Sequence, residues 1–77
     1  MKNKPKHILI IESIEHQIST GHLKPGAQIP SLSQLQQLFG ASYGTVRAAT
    51  LVLKASGLVR GEAGIGMFVV SETDGAQ

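Results

Sequence analysis

The apolar positions along the chain follow three helical stretches and then two extended ones. From His7 to Thr20, Ile8, Ile11, Ile14 and Ile18 recur at spacings of three and four, which predicts an amphipathic helix. Pro5 suits its first turn and Gly21 its C-terminal stop. His22–Pro30 is a connector: Lys24-Pro25-Gly26 is turn chemistry, and Gln28-Ile29 could make a very short strand stopped by Pro30. Helical signals resume at Ser31. Its side-chain oxygen can accept an orphan amide proton at a helix start, and Gln34, three residues on, can complete a capping box. Leu35 and Leu38 give this second helix an apolar face, and Gly40 breaks it where left-handed backbone is cheap. Ser42 can cap a third helix carrying Val46, Ala49 and Leu53, and Gly57 ends it. Leu58-Val59-Arg60 and Met67–Val70 then read as two strands around the glycine-bearing turn Gly61–Gly66. The fold class is mainly α with small β: three helices and a hairpin.

Two capped helices with only Gly40-Ala41 between them are the sequence form of a helix-turn-helix. The second helix of that motif can lie in the DNA major groove. This makes the third helix, about 42–56, the candidate recognition helix.

Composition narrows the alternatives. The chain has 77 residues and 42% hydrophobic content, enough for one small core and against disorder. It has no cysteine, so disulfides and thiolate metal sites are excluded. His7, His16 and His22 are not at i,i+4 spacing and have no cysteine partners, so no metal site is expected. No apolar run approaches the roughly 20 residues of a membrane helix, and Glu12 and Glu15 interrupt the first one, which argues against a signal peptide. The cytoplasm is the expected location. The formal charge of +2 is compatible with nucleic acid but specifies nothing alone. Lys2, Lys4 and Lys6 are either a frayed, solvated terminus or a basic arm near DNA phosphates. No Ser-His-Asp, Cys-His or metal constellation can be assembled, so an enzyme is not expected, and neither is a cofactor.

The residues from about Ile8 to Val70 resemble the DNA-binding domain of the GntR family of bacterial transcription regulators. The likeness is carried by Ile14, Ile18 and Gly21, then Leu23, Pro25-Gly26 and Ile29-Pro30-Ser31. Leu35, Phe39-Gly40, Ser42, Thr45-Val46-Arg47, Ala49 and Leu53 follow, then Gly57-Leu58-Val59, Gly64, Gly66 and Phe68-Val69. The resemblance implies a winged helix-turn-helix bound to operator DNA, usually as a homodimer, with the wing at about 58–70 against the minor groove. The domain would span 1–70, followed by a disordered polar tail at 71–77. It also implies that Gly66 sits where the wing tip approaches DNA. Ser31 and Ser42 have sufficient reason to exist as caps, although their hydroxyls or nearby amides can also meet phosphates. Gly64-Ile65-Gly66 is too short for a nucleotide-binding loop and suits a hairpin turn.

The sequence departs from the family pattern at the positions expected to read bases. Many members carry arginine where this chain has Ser33, Tyr43 and Ile65. Arg47 remains, and an arginine can bond guanine O6 and N7 together, worth about 1–3 kcal/mol of discrimination. The residues expected at DNA are therefore Ser31, Ser33, Ser42, Tyr43, Thr45, Arg47 and Gly66, with Lys24, Lys54 and Arg60 secondary. The expected function is a sequence-specific regulator, a repressor or relative, of double-stranded DNA with a palindromic operator. The alternative is a winged helix serving protein interaction or assembly, with weak non-specific DNA binding. Family regulators usually carry a C-terminal domain that binds a small-molecule effector and dimerises. This chain reads either as an excised N-terminal domain or as a small standalone protein. An effector is expected only with such a domain, and a homodimer is expected on DNA or through it.

Overall fold

The computed structural model describes residues 4–71. Helix α1 (Lys6–Ser19) begins directly after Pro5, whose carbonyl accepts the amides of Ile8 and Leu9 at 3.0 and 3.2 Å. Its buried residues are Ile10, Ile11 and Ile14, with Ile8 and Ile18 only partly covered. The seam therefore differs from the predicted one, which included Ile8 and omitted Ile10. The reason is angular. At about 100° per residue, Ile10, Ile14, Ile18 and Ile11 share an arc of about 100°, and Ile8 falls about 60° outside it.

Helix α2 (Leu32–Phe39) carries the full capping box: Ser31 Oγ accepts the Gln34 amide at 3.1 Å, and Gln34 Oε1 accepts the Ser31 amide at 2.8 Å. Gly40 closes the helix at φ 60° and ψ 39°, the left-handed conformation that L side chains adopt at a cost. Leu35 is buried, but Leu38 is 68% exposed, which corrects its assignment to the apolar face. Leu32 and Phe39 lie to one side of Leu35 around the helix and Leu38 to the other. The helix is rolled toward Leu32 and Phe39, which pack on the core.

Helix α3 (Tyr43–Ala55) is capped by Ser42, whose Oγ accepts the Thr45 amide at 3.2 Å. It buries Val46, Ala49, Thr50 and Leu53. The Thr50 hydroxyl donates to the Arg47 carbonyl at 2.9 Å, so a polar residue enters the core with its hydrogen bond made. Both α1 and α2 pack on α3.

Strands β1 (Val59–Glu62) and β2 (Gly66–Val69) pair antiparallel, with Val59 opposite Val69 and Glu62 opposite Gly66. The turn is shorter than the predicted Gly61–Gly66, because Gly61 and Glu62 are drawn into the ladder opposite Met67 and Gly66. The connector covers the other edge of β2. Gln28 bridges Phe68, Val69 donates to the Ala27 carbonyl at 2.8 Å, and Ile29 donates to the Met67 carbonyl at 2.9 Å. Alternation along β2 sends Met67 and Val69 inward beside Val59 and Ile29. The architecture is mainly α with a small β-hairpin following the third helix: a winged helix-turn-helix. Of the predicted tail at 71–77, all but Ser71 lies outside the described residues. Among the described residues no helix is long and apolar enough to cross a membrane.

Candidate nucleic-acid interface

Burial of Val46, Ala49, Thr50 and Leu53 decides what α3 leaves outside. Arg47, Leu51 and Lys54, at i, i+4 and i+7, form an outward stripe beside that seam. The stripe is one wall of an open groove of about 680 Å³. The opposite wall is the wing, from Gly61 through Met67, and Ser31 and Leu32 close one end. Gly61 has no side chain, and Lys54 occupies that space: a Cβ there would lie 3.1 Å from Lys54 Nζ.

The residues expected at DNA divide between this groove and the start of α3. Ser31, Arg47 and Gly66 line the groove. Ser42, Tyr43 and Thr45 sit together at the first turn of α3, where backbone amides concentrate positive potential. Ser33 is exposed on the first turn of α2. Ser31 and Ser42 both use their oxygens as caps, and the Ser42 hydroxyl also donates to Thr45 Oγ1 at 3.0 Å. Tyr43 is 52% exposed, leaving its phenol open to a partner.

The cations differ in how far they are already engaged. Arg47 is exposed and makes no ion pair among the described residues. Arg60 is paired with Glu62 and lies over the Phe68 ring, 5.5 Å from its centroid. The described N-terminal lysines are exposed and each holds a contact within the chain: Lys4 pairs with Glu12 at 2.8 Å, and Lys6 Nζ donates to the Gly40 carbonyl at 2.6 Å. The second contact ties the start of α1 to the C-terminal end of α2, where a cation is favoured by the helix dipole. Lys2 lies outside the described residues.

Leu51 and Lys54 join Arg47 on this wall, although the sequence reading leaves Leu51 out and gives Lys54 a secondary place. The signal was present, since a buried 46/49/53 seam places 47, 51 and 54 together on the adjacent strip. It also missed Gln28, whose amide reaches the wing and whose position is set by tertiary pairing.

A helix-turn-helix with its recognition helix exposed beside a hairpin defines the class: a winged helix-turn-helix DNA-binding domain. The chain belongs to the GntR family of bacterial regulatory proteins, whose profile, "Bacterial regulatory proteins, gntR family", matches residues 9–69. It is 39% identical over 72 residues to the "Mannosyl-D-glycerate transport/metabolism system repressor MngR" of Escherichia coli (strain K12). That match covers 94% of this chain and 30% of the repressor, so the chain spans under a third of that relative's length. Among solved structures, AraR(DBD) in complex with operator ORR3 is 35% identical at a TM-score of 0.85, covering 90% of this chain and 83% of that one. The NTD of AraR with mutant ORR3 is 34% identical at a TM-score of 0.86, covering 91% of this chain and 100% of that one.

Proposed function

We propose that this domain binds operator DNA sequence-specifically, with the start of α3 in the major groove and the wing against the minor groove. Arg47 carries the reading: an exposed arginine one turn into α3, without an ion pair among the described residues, on the wall facing the wing. It is placed to read a guanine edge. Ser31, Ser33, Ser42, Tyr43 and Thr45 set the register through phosphate and sugar contacts, which position a protein without reading sequence. The solved relatives bound to operators, at similar length and fold, support this assignment. So does the repressor relative for a role in transcriptional control.

The footprint favours two copies on a palindrome. A single module buries roughly 600–1,000 Å² on DNA, the low end for specific binding. A second copy on an adjoining half-site gains about two to four decades in avidity when the two are linked. In a longer protein, a C-terminal domain would supply both that linkage and an effector site. The 77-residue chain alone is expected to sediment as a monomer at micromolar concentration and as two copies on a palindromic duplex. A stable dimer without DNA would place an interface on α1, and failure to load any duplex would favour a protein-assembly module.

Restoring arginine is the complementary test. Ser33→Arg and Tyr43→Arg should each tighten binding to random duplex. Each should also steepen the dependence of log Kobs on log salt by about 0.9 for every phosphate gained. Unchanged slopes would place both positions away from the backbone.

A further inference from the structure

We propose that Gln28 is a positioning residue that latches the wing tip in place for DNA, and that Gly66 is glycine to admit that latch. The inference rests on the wing being a DNA contact, as proposed above. Gln28 lies on the connector, bridged by its backbone to Phe68 of β2. Its Nε2 donates to the Ile65 carbonyl at 3.1 Å, joining residues 37 apart in sequence. Ile65 lies in the turn between β1 and β2 and is 63% exposed, so this bond holds the tip of the wing.

A second observation converges on the same amide. A Cβ at Gly66 would clash with Gln28 Nε2, and the flexible amide end would have to swing away from the tip to relieve it. Gly66 also has φ 143°, in the range that favours glycine. The sequence resemblance explains this glycine by close approach of DNA; the structure supplies a partner inside the chain. Short two-stranded hairpins are marginal on their own in water, so an anchor from outside the hairpin matters to the tip. A tip already held in place loses less freedom on binding, and the affinity gain comes from that pre-organisation.

The test uses the full chain and a duplex recovered by selection from a randomised library with the parent protein. Gln28→Met keeps the length and removes the donor. Gln28→Glu places a carboxylate against the Ile65 carbonyl. Both should weaken binding to that duplex by about two- to tenfold, the range of one lost neutral hydrogen bond. Hydrogen exchange at the Ile65 amide, bonded to the Glu62 carbonyl at 3.0 Å, should quicken by a similar factor without DNA. In the neutral Gln28→Met variant the salt slope and the melting temperature should stay at parental values, because phosphate contacts and core are untouched. Gly66→Ala should weaken binding less in the Gln28→Met background than in the parent, since the latch it displaces is already gone. Parental affinity or parental exchange in Gln28→Met overturns the latch while leaving the DNA reading intact. A large fall in melting temperature overturns it too, by making Gln28 a general structural residue. If selection returns no bound duplex, the DNA reading fails and this inference falls with it.

Discussion

Replacing Leu53 by alanine is expected to destabilise the domain by about 2–5 kcal/mol, the range for a fully buried leucine. Leu53 has no exposed surface, and its carbonyl accepts the Leu58 amide at 3.2 Å where α3 hands over to the wing. The core it belongs to draws on every element, with Ile10 and Ile14 of α1, Leu35 of α2, Val59 of β1 and Val69 of β2. A small domain has about 5 kcal/mol in total, so this loss would leave much of the population unfolded. One kcal/mol moves the midpoint of a domain this size by about 4–8 °C, so melting should fall by about 10 °C or more. A shift of a degree or two would contradict the packing of α3.

Arg47→Ala should act in the opposite way, leaving stability alone and removing recognition. The side chain is exposed and makes no ion pair among the described residues, so folding loses little. Binding to the cognate duplex should fall by one or two decades, at about 1.4 kcal/mol each. Because the proposed contact reads a base, affinity for non-cognate duplex should fall much less. Equal losses on cognate and random DNA would reassign Arg47 to a phosphate. No loss on either would remove it from the interface.

Local chemistry was the legible part of this fold. Ser31 with Gln34, Ser42 with the Thr45 amide, and the left-handed Gly40 act within three or four residues, so the sequence specifies them directly. The 46/49/53 seam was legible for the same reason, since one helical period places all three together. Leu38 was misassigned because spacing tells which residues share a face but not how far the helix rolls. That roll is set by Leu32 and Phe39 meeting the core. The wing turn was placed too wide because Gly61 and Glu62 gain strand geometry from their partners Met67 and Gly66. Lys6 and Gln28 act across the fold, on the Gly40 and Ile65 carbonyls, and nothing near them in sequence announces those targets.

The candidate site follows the same division. Arg47 stood out by residue type and position, whereas the groove emerged only once the wing was folded opposite α3. Leu51 and Ile65, both exposed, give this groove an apolar character that the family's usual arginine at the wing tip would not. Readout here should therefore lean on one arginine and on surface contact more than on charge.

The proposed mode of binding engages DNA through few, localised cations. The most direct measurement is fluorescence anisotropy of a selected palindromic duplex, titrated with the chain over a series of salt concentrations. Binding should weaken linearly in log Kobs against log salt, with a slope of roughly −2 to −3 per copy for two or three phosphate contacts. Affinity should also exceed that for a scrambled duplex at every salt concentration. Affinity that is absent, or independent of both salt and sequence, would contradict it.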